Sequence, residues 1–304
     1  MSGATAFASM DSQRKPWFGG DRAARLRIAL TYGWRHRRLP DLACPTRFTE
    51  LVQLRKLDDR DPRMPAMIDK VAAKSIVADA LGRDWIIPIL WSGDALPAAV
   101  PWADPVVVKS RHGCNHNAFV LDAATDWPRA VAASRRWMAR DYGWWLDEWA
   151  YAPVPRGLLI EPWIGIGLDL PIDYKIYVFG GQATHVQVHL DRGGDHRWIM
   201  HDADWRAIAP GAPAIARPSA LAAMLAAAET LAAGFTFARV DFYQPADRPL
   251  FGEIAFYPGS GLDPFDPPAL DLELGRLWLD AVAARERPVA PPARRTAAGA
   301  SPSG

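Results

Sequence analysis

Between Thr46 and Leu81 the apolar positions recur at helical spacing. Phe48, Leu51, Val52, Leu54 and Leu57 form one stripe that Thr46 or Thr49 is placed to cap, and a second helix is predicted over 68–81, ending at Gly82. The segment 85–91 reads as a strand or extended edge, because Pro88 removes a ladder donor. Beyond Pro105 the pattern shortens to β-type runs. Residues 105–109 and 118–121 predict two strands around the polar loop 110–117, followed by a helix over 128–141 and a strand over 157–164. Residues 174–179 and 182–190 flank Gly180-Gly181 as a hairpin, and 237–243 and 250–257 flank a polar turn as another. An alanine-rich helix is expected over 219–233 with Ser219 as its cap. The sum is an α+β chain dominated by antiparallel hairpins.

Composition narrows the class without naming a function. In 304 residues, half are hydrophobic and 23% charged, the balance of a folded globular chain with a large core. A net charge of +1 provides no global field for nucleic acid. Cys44 and Cys114 stand far apart, which argues against a disulfide framework or a cysteine zinc site and fits a reducing cytoplasm. No apolar run reaches the length of a signal peptide or a transmembrane helix. The ends, 1–20 and 287–304, read as loose, the second being rich in Pro, Ala, Gly and Ser. The organisation expected is an N-terminal extension over 1–45, a helical and extended lobe over 46–105, the main lobes over 106–286 and a tail over 287–304. Within the extension, residues 21–38 mix six arginines with Leu26, Ile28, Leu30 and Trp34, the pattern of a solvated helix face or of peripheral contact with an anionic membrane.

Chemistry concentrates in the β-rich part. Alternation places Arg239 and Asp241 on one strand face, and the turn that follows brings Glu253 beside Asp241. Two carboxylates this close either share a cation such as magnesium or are neutralised by a neighbour such as Arg239. Lys109 ends a β run, and the loop after it, with His112, Gly113 and free backbone amides, is either a phosphate cradle or a plain hairpin turn. Glu161 follows an apolar strand, where it can reach a purine amine or form a buried salt bridge. Asp173 and Lys175 share a face and can serve a ribose and a phosphate, or each other. Asp59-Arg60-Asp61 and Asp202-Ala203-Asp204 carry the competing reading of a metal-dependent glycosyltransferase, although aspartates so spaced are also ordinary turn formers.

Together these segments resemble the TupA-like ATP-grasp family, named for teichuronopeptide biosynthesis, over residues 46–280. The similarity runs through Arg47-Phe48-Thr49-Glu50, Leu54-Arg55-Lys56-Leu57-Asp58-Asp59-Arg60-Asp61-Pro62 and Asp69-Lys70-Val71-Ala72-Ala73-Lys74. It continues through Val108-Lys109-Ser110-Arg111-His112-Gly113, Ile160-Glu161-Pro162-Trp163, Asp173-Tyr174-Lys175, Val240-Asp241-Phe242-Tyr243, Phe251-Gly252-Glu253 and Pro258-Gly259-Ser260-Gly261. The resemblance implies an ATP-grasp fold: two lobes with mainly antiparallel sheets enclosing a nucleotide cleft. It implies ATP and Mg²⁺ as cofactors, with Lys74 and Lys109 on the phosphates, His112 and Gly113 in the phosphate loop, Glu161 at the adenine hinge and Asp173 near the ribose. Asp241 and Glu253 would hold magnesium, and Lys175 and Arg239 would face the transferred phosphate. The implied activity is a carboxylate–amine ligase working through an acylphosphate on a small-molecule or glycan acid in polysaccharide biosynthesis. Ala255 departs from the pattern, since many ATP-grasp enzymes carry a metal-binding Asn there. That leaves a catalytically impaired nucleotide-binding scaffold as a further alternative.

Overall fold

The computed structural model describes residues 20–190, 197–209 and 213–287. Apart from Gly20 and Arg287, the expected loose ends lie outside the described residues. The chain opens with helices α1 (Gly20–His36), α2 (Phe48–Asp58), α3 (Met64–Ile68) and α4 (Ala72–Leu81). Strands β1 (Trp91–Gly93), β2 (Val106–Ser110) and β3 (Asn117–Val120), helix α5 (Ala123–Met138) and strand β4 (Leu158–Pro162) follow. The remainder comprises β5 (Asp173–Phe179), β6 (Gln182–Leu190), β7 (Arg197–Asp202), α6 (Leu221–Leu231), β8 (Phe237–Tyr243), β9 (Leu250–Ala255) and α7 (Ala269–Glu286).

The strands form two antiparallel sheets, ordered β1-β4-β2-β3 and β7-β6-β5-β8-β9. In the smaller sheet, alternation sends Val106 and Val108 of β2, with Ile160 of β4, into a core against Trp127 and Ala130 of α5. Val107, Lys109 and Glu161 consequently face the other way, into a cleft. In the larger sheet, Tyr174, Ile176, Val240 and Phe242 bury one face, onto which α6 packs. The opposite face is divided along its length. At one end Phe179 and Phe237 pack against Phe48 of α2 and Trp278 of α7. At the other end Asp173, Lys175 and Asp241 line the cleft. Close approach of α7 to α2 depends on Gly275, because a Cβ there would lie 2.2 Å from the Thr46 carbonyl oxygen. The β5–β6 hairpin turns at Gly180 and Gly181, both at positive φ, where glycine carries no steric cost.

Several local expectations shift for identifiable reasons. Glu50, rather than Thr46 or Thr49, caps α2: its carboxylate accepts from the Thr46 and Arg47 backbone N–H groups, while the Thr49 hydroxyl donates to Asp271. The helix expected over 68–81 is broken after Ile68, where Asp69 turns to accept from the Val71 N–H and from Arg111. Helix α5 starts before Pro128 because Asp122 accepts from the N–H groups of Ala124 and Thr125. Ser219 does not cap α6. Its hydroxyl donates to Asp247, and the Ala220 N–H is taken by Gln244. Of the segment 85–91, expected as a strand or extended edge, Ile86 makes an isolated bridge to Phe251, Leu90 donates to the Ile160 carbonyl of β4, and ladder pairing with β4 starts at Trp91.

Candidate active site

A cleft open to solvent lies between the two sheets and is lined by residues of both, among them Lys109 and Glu161 on one side and Lys175, Asp241 and Glu253 on the other. On the smaller sheet the Glu161 carboxylate sits between two ammonium groups: Lys74 Nζ lies 2.7 Å from Oε1 and Lys109 Nζ lies 2.6 Å from Oε2. Lys109 and Glu161 share a face as diagonal neighbours, since Val107 is directly opposite Glu161 and Lys109 is two positions further on. Lys74 arrives from α4 and also donates to the Ile87 carbonyl at 2.5 Å. Burial pushes the Glu161 carboxyl up, but the Lys109 and Lys74 charges outweigh it and hold the group below the usual carboxylate range. Burial also pulls the Lys74 ammonium down, and the Glu161 charge offsets this only in part.

On the larger sheet, Lys175, Asp241 and Glu253 are directly opposite one another on β5, β8 and β9. Arg239, in the next row, makes a fork to Asp241: Nε donates to Oδ1 and Nη2 to Oδ2, both at 2.7 Å. The same Nη2 reaches Glu253 Oε1 at 3.3 Å. Lys175 Nζ lies 2.5 Å from Asp241 Oδ2 and 2.7 Å from Asp173 Oδ2. The cations between the carboxylates are therefore both side chains of this protein. Burial alone would raise the Asp241 carboxyl, but Arg239 and then Lys175 bring it down to about 2. Burial disfavours the Lys175 ammonium, and Asp173 and Asp241 more than compensate, so it is raised.

Other sequence-predicted residues take different positions. Glu161 spends both carboxylate oxygens on the lysines, the buried salt bridge of the two readings. Lys74 stands behind it, buried. His112 turns away from the cleft: its ring nitrogens engage the Trp137 carbonyl and the Gly157 N–H, and it does not line the cavity. At Gly113 a Cβ would fall 2.4 Å from His116 Nδ1, so this glycine serves close packing of the loop. Its carbonyl accepts from Lys70, which does line the cleft. Asp59, Asp61 and Asp204 pair with Arg55, Arg63 and Arg206, and Asp202 accepts from the Arg206 N–H, so both Asp-x-Asp segments work as turns. Asn117, at the end of the loop read as a phosphate cradle, lines the cleft, and so do Phe119, Trp163 and Tyr243, to which sequence reasoning assigns no role. The period-two alternation of Asn117 and Phe119 with Ala118 and Val120 was the available signal.

Asp241 and Glu253 offer only hard oxygen donors on adjacent strands, with Glu253 one-third exposed. That set fits magnesium, which takes one or two carboxylates and fills its shell with phosphate oxygens and water. No group of three or more metal-binding side chains occurs among the described residues, and Ala255 lies opposite Arg239 where a further ligand would stand.

Comparison with known proteins places the chain. The family described as TupA-like ATPgrasp matches residues 50–279. No curated protein matches. Among solved structures the chain is similar to the D-alanine–D-alanine ligase from Bacillus anthracis, at 16% identity and a TM-score of 0.44, covering 72% of this chain and 66% of that one. It is also similar to the D-cycloserine synthetase DcsG, at 16% identity and a TM-score of 0.41, over 92% and 87% of the respective chains. A third similarity is to the ATP-grasp ligase PsnB complexed with Mg, ADP and a phosphomimetic variant of its minimal precursor, at 16% identity, a TM-score of 0.38 and coverage of 74% and 61%. The chain spans just under two thirds of the length of the first of these ligases. Matched over most of its length, and folded as two antiparallel sheets around a cleft, this chain belongs to the TupA-like ATP-grasp family.

Proposed function

We propose that this protein is an ATP- and Mg²⁺-dependent ligase that activates a carboxylate as an acylphosphate and joins it to an amine. The observation that carries this reading is the pairing of unlike walls across one cleft: Lys109 and Glu161 on one sheet, backed by Lys74 of α4, and Lys175, Asp241 and Glu253 on the other, braced by Arg239. ATP lies with its phosphates toward Lys109, which Glu161 orients and Lys74 backs. Trp163 and Phe119, whose rings are 5.5 Å apart at the cleft edge, give the base an apolar surface. Asp241 and Glu253 would hold Mg²⁺, which would neutralise charge on the phosphates.

In the first step an oxygen of the substrate carboxylate attacks the γ-phosphorus, the bond to the β-phosphate oxygen breaks, and ADP leaves. In the second an amine attacks the acyl carbon, phosphate departs and the amine proton is lost to solvent. Arg239 and Lys175 stabilise the acylphosphate and the oxyanion of the tetrahedral intermediate. The acid is a sugar acid or amino acid destined for a cell-surface polymer, in keeping with the pathway for which the family is named. Ala255 supports a second reading, a scaffold that binds ATP without turning it over.

A thermal-shift panel tests the nucleotide: ATP with Mg²⁺ at a hundredfold excess over Kd adds about 2.7 kcal/mol of stability. Stabilisation by UDP-sugars and none by ATP would instead support a glycosyltransferase. Incubation with ATP, Mg²⁺, a pool of uronic and amino acids, and hydroxylamine tests the chemistry. The ligase releases ADP and phosphate and forms a hydroxamate. A kinase leaves a stable phosphorylated product, and a scaffold releases nothing above background.

A further inference from the structure

Helix α1 is attached to the body by one side only. Ile28 and Tyr32 are buried, the Tyr32 hydroxyl meets Thr49 Oγ1 at 2.9 Å, Arg27 pairs with Asp147, and His36 bonds the Gly261 carbonyl. Its outer side carries a single ridge at four-residue spacing: Arg22, Leu26, Leu30 and Trp34. The three apolar members are 60%, 65% and 77% exposed, and Leu39 extends the ridge past the helix end at 72%. A solvated helix carries polar residues on that side. Here the exposed charges beside the ridge are mainly cationic: Arg25 and Arg37 flank it, and Asp21, paired with Arg25, is the acidic member at the start of the helix.

We infer that α1 is an interfacial anchor, its Leu26–Leu30–Trp34 ridge seated in the headgroup layer of an anionic lipid bilayer and its arginines on the lipid phosphates. Leucines flanking an amphipathic tryptophan match the layer's apolar-to-polar gradient, and arginines at the same depth meet its negative potential. A second copy stacked antiparallel, ridge to ridge, would bring Arg22 of one helix toward Arg37 of the other, so charge complementarity selects the bilayer over self-association. The contact is peripheral, because no helix among the described residues is long and apolar enough to cross a membrane.

The test is flotation of the full chain with phosphatidylcholine vesicles, with and without phosphatidylglycerol. Binding is expected only to the anionic vesicles and is weakened by added salt. The triple variant Leu26→Ser/Leu30→Ser/Trp34→Ser should lower partitioning about tenfold or more while leaving the melting temperature and ATP affinity unchanged. Arg22→Glu/Arg37→Glu should abolish the preference for phosphatidylglycerol. Absence of binding to anionic vesicles at low ionic strength overturns the inference, as does wild-type partitioning by the triple variant. So does a wild-type dimer that the triple variant converts to a monomer in sedimentation velocity, which would make a second copy the occupant, or binding to a soluble polyanion without binding to vesicles.

Discussion

The two walls of the cleft are built from the same ingredients in opposite proportion. On the smaller sheet Glu161 is shared by Lys109 and by Lys74 from α4; on the larger sheet Arg239 and Lys175 serve Asp173, Asp241 and Glu253. One wall therefore holds an excess cation and the other an excess anion, and both sets are too buried for water to screen them fully. A polyphosphate can lie directly against the first wall. Against the second it meets a like charge unless a divalent cation comes with it, so the proposed need for a metal would arise on that side alone. The opposite imbalance also explains why the two walls should respond differently to mutation.

The largest effect is expected at Asp241, the carboxylate that two buried cations share, whose loss leaves Lys175 only Asp173 and Arg239 only a long contact to Glu253. Asp241→Asn should cost about 3–5 kcal/mol in urea denaturation, because Arg239 and Lys175 lose their shared partner. Glu161→Gln should cost on the order of 3 kcal/mol by the same reasoning applied to Lys74 and Lys109. If either variant melts like the wild type, the charge pairing described here is not what holds that wall.

Glu253→Gln separates chemistry from folding. Glu253 is one-third exposed and makes a single long contact to Arg239, so stability should change by less than about 1 kcal/mol. Mg²⁺-dependent ATP turnover should fall on the order of 100-fold, the rate equivalent of a few kcal/mol of lost charge stabilisation. Turnover at the wild-type rate would remove Glu253 from the metal site.

Acid titration distinguishes the walls more gently. The folded-state value of the Asp241 carboxyl, about 2, lies below its ordinary value of 3.8, so its contribution to stability is present above about pH 4 and is lost as pH falls toward 2. The loss is on the order of 2 kcal/mol, and the Asp241→Asn variant should show a flatter stability profile through that window.

The smallest effect tests the departure from the common pattern. Ala255→Asn restores an oxygen donor beside Arg239 and should lower the Mg²⁺ concentration for half-maximal ATP turnover, by about tenfold at most. No change in the metal titration would show that position 255 lies outside the metal's reach.

Local periodicity made much of this legible. The Gly180-Gly181 hairpin, the β8–β9 hairpin and the placement of Glu253 opposite Asp241 all follow from alternation and turn chemistry within some twenty residues of chain. Helix α7 was not read, and the partners of Arg55 and Lys56 on α2 could not be. Arg55 stacks 4.3 Å above Trp278 and donates to the Phe237 carbonyl, while Lys56 donates to Ser260; each contact spans well over a hundred residues of chain.

The sequence by itself determined which positions face inward on each strand and which of those are charged, because that depends only on the two-residue repeat. Only the tertiary structure decided how the charges pair. Glu161 pairs with Lys74 because α4 brings that lysine against it, and Asp241 pairs with Lys175 as well as with Arg239 because β5 lies beside β8. Coulomb energy depends on the distance between charges and on their burial. Neither quantity is set by spacing along the chain once the partners belong to different elements.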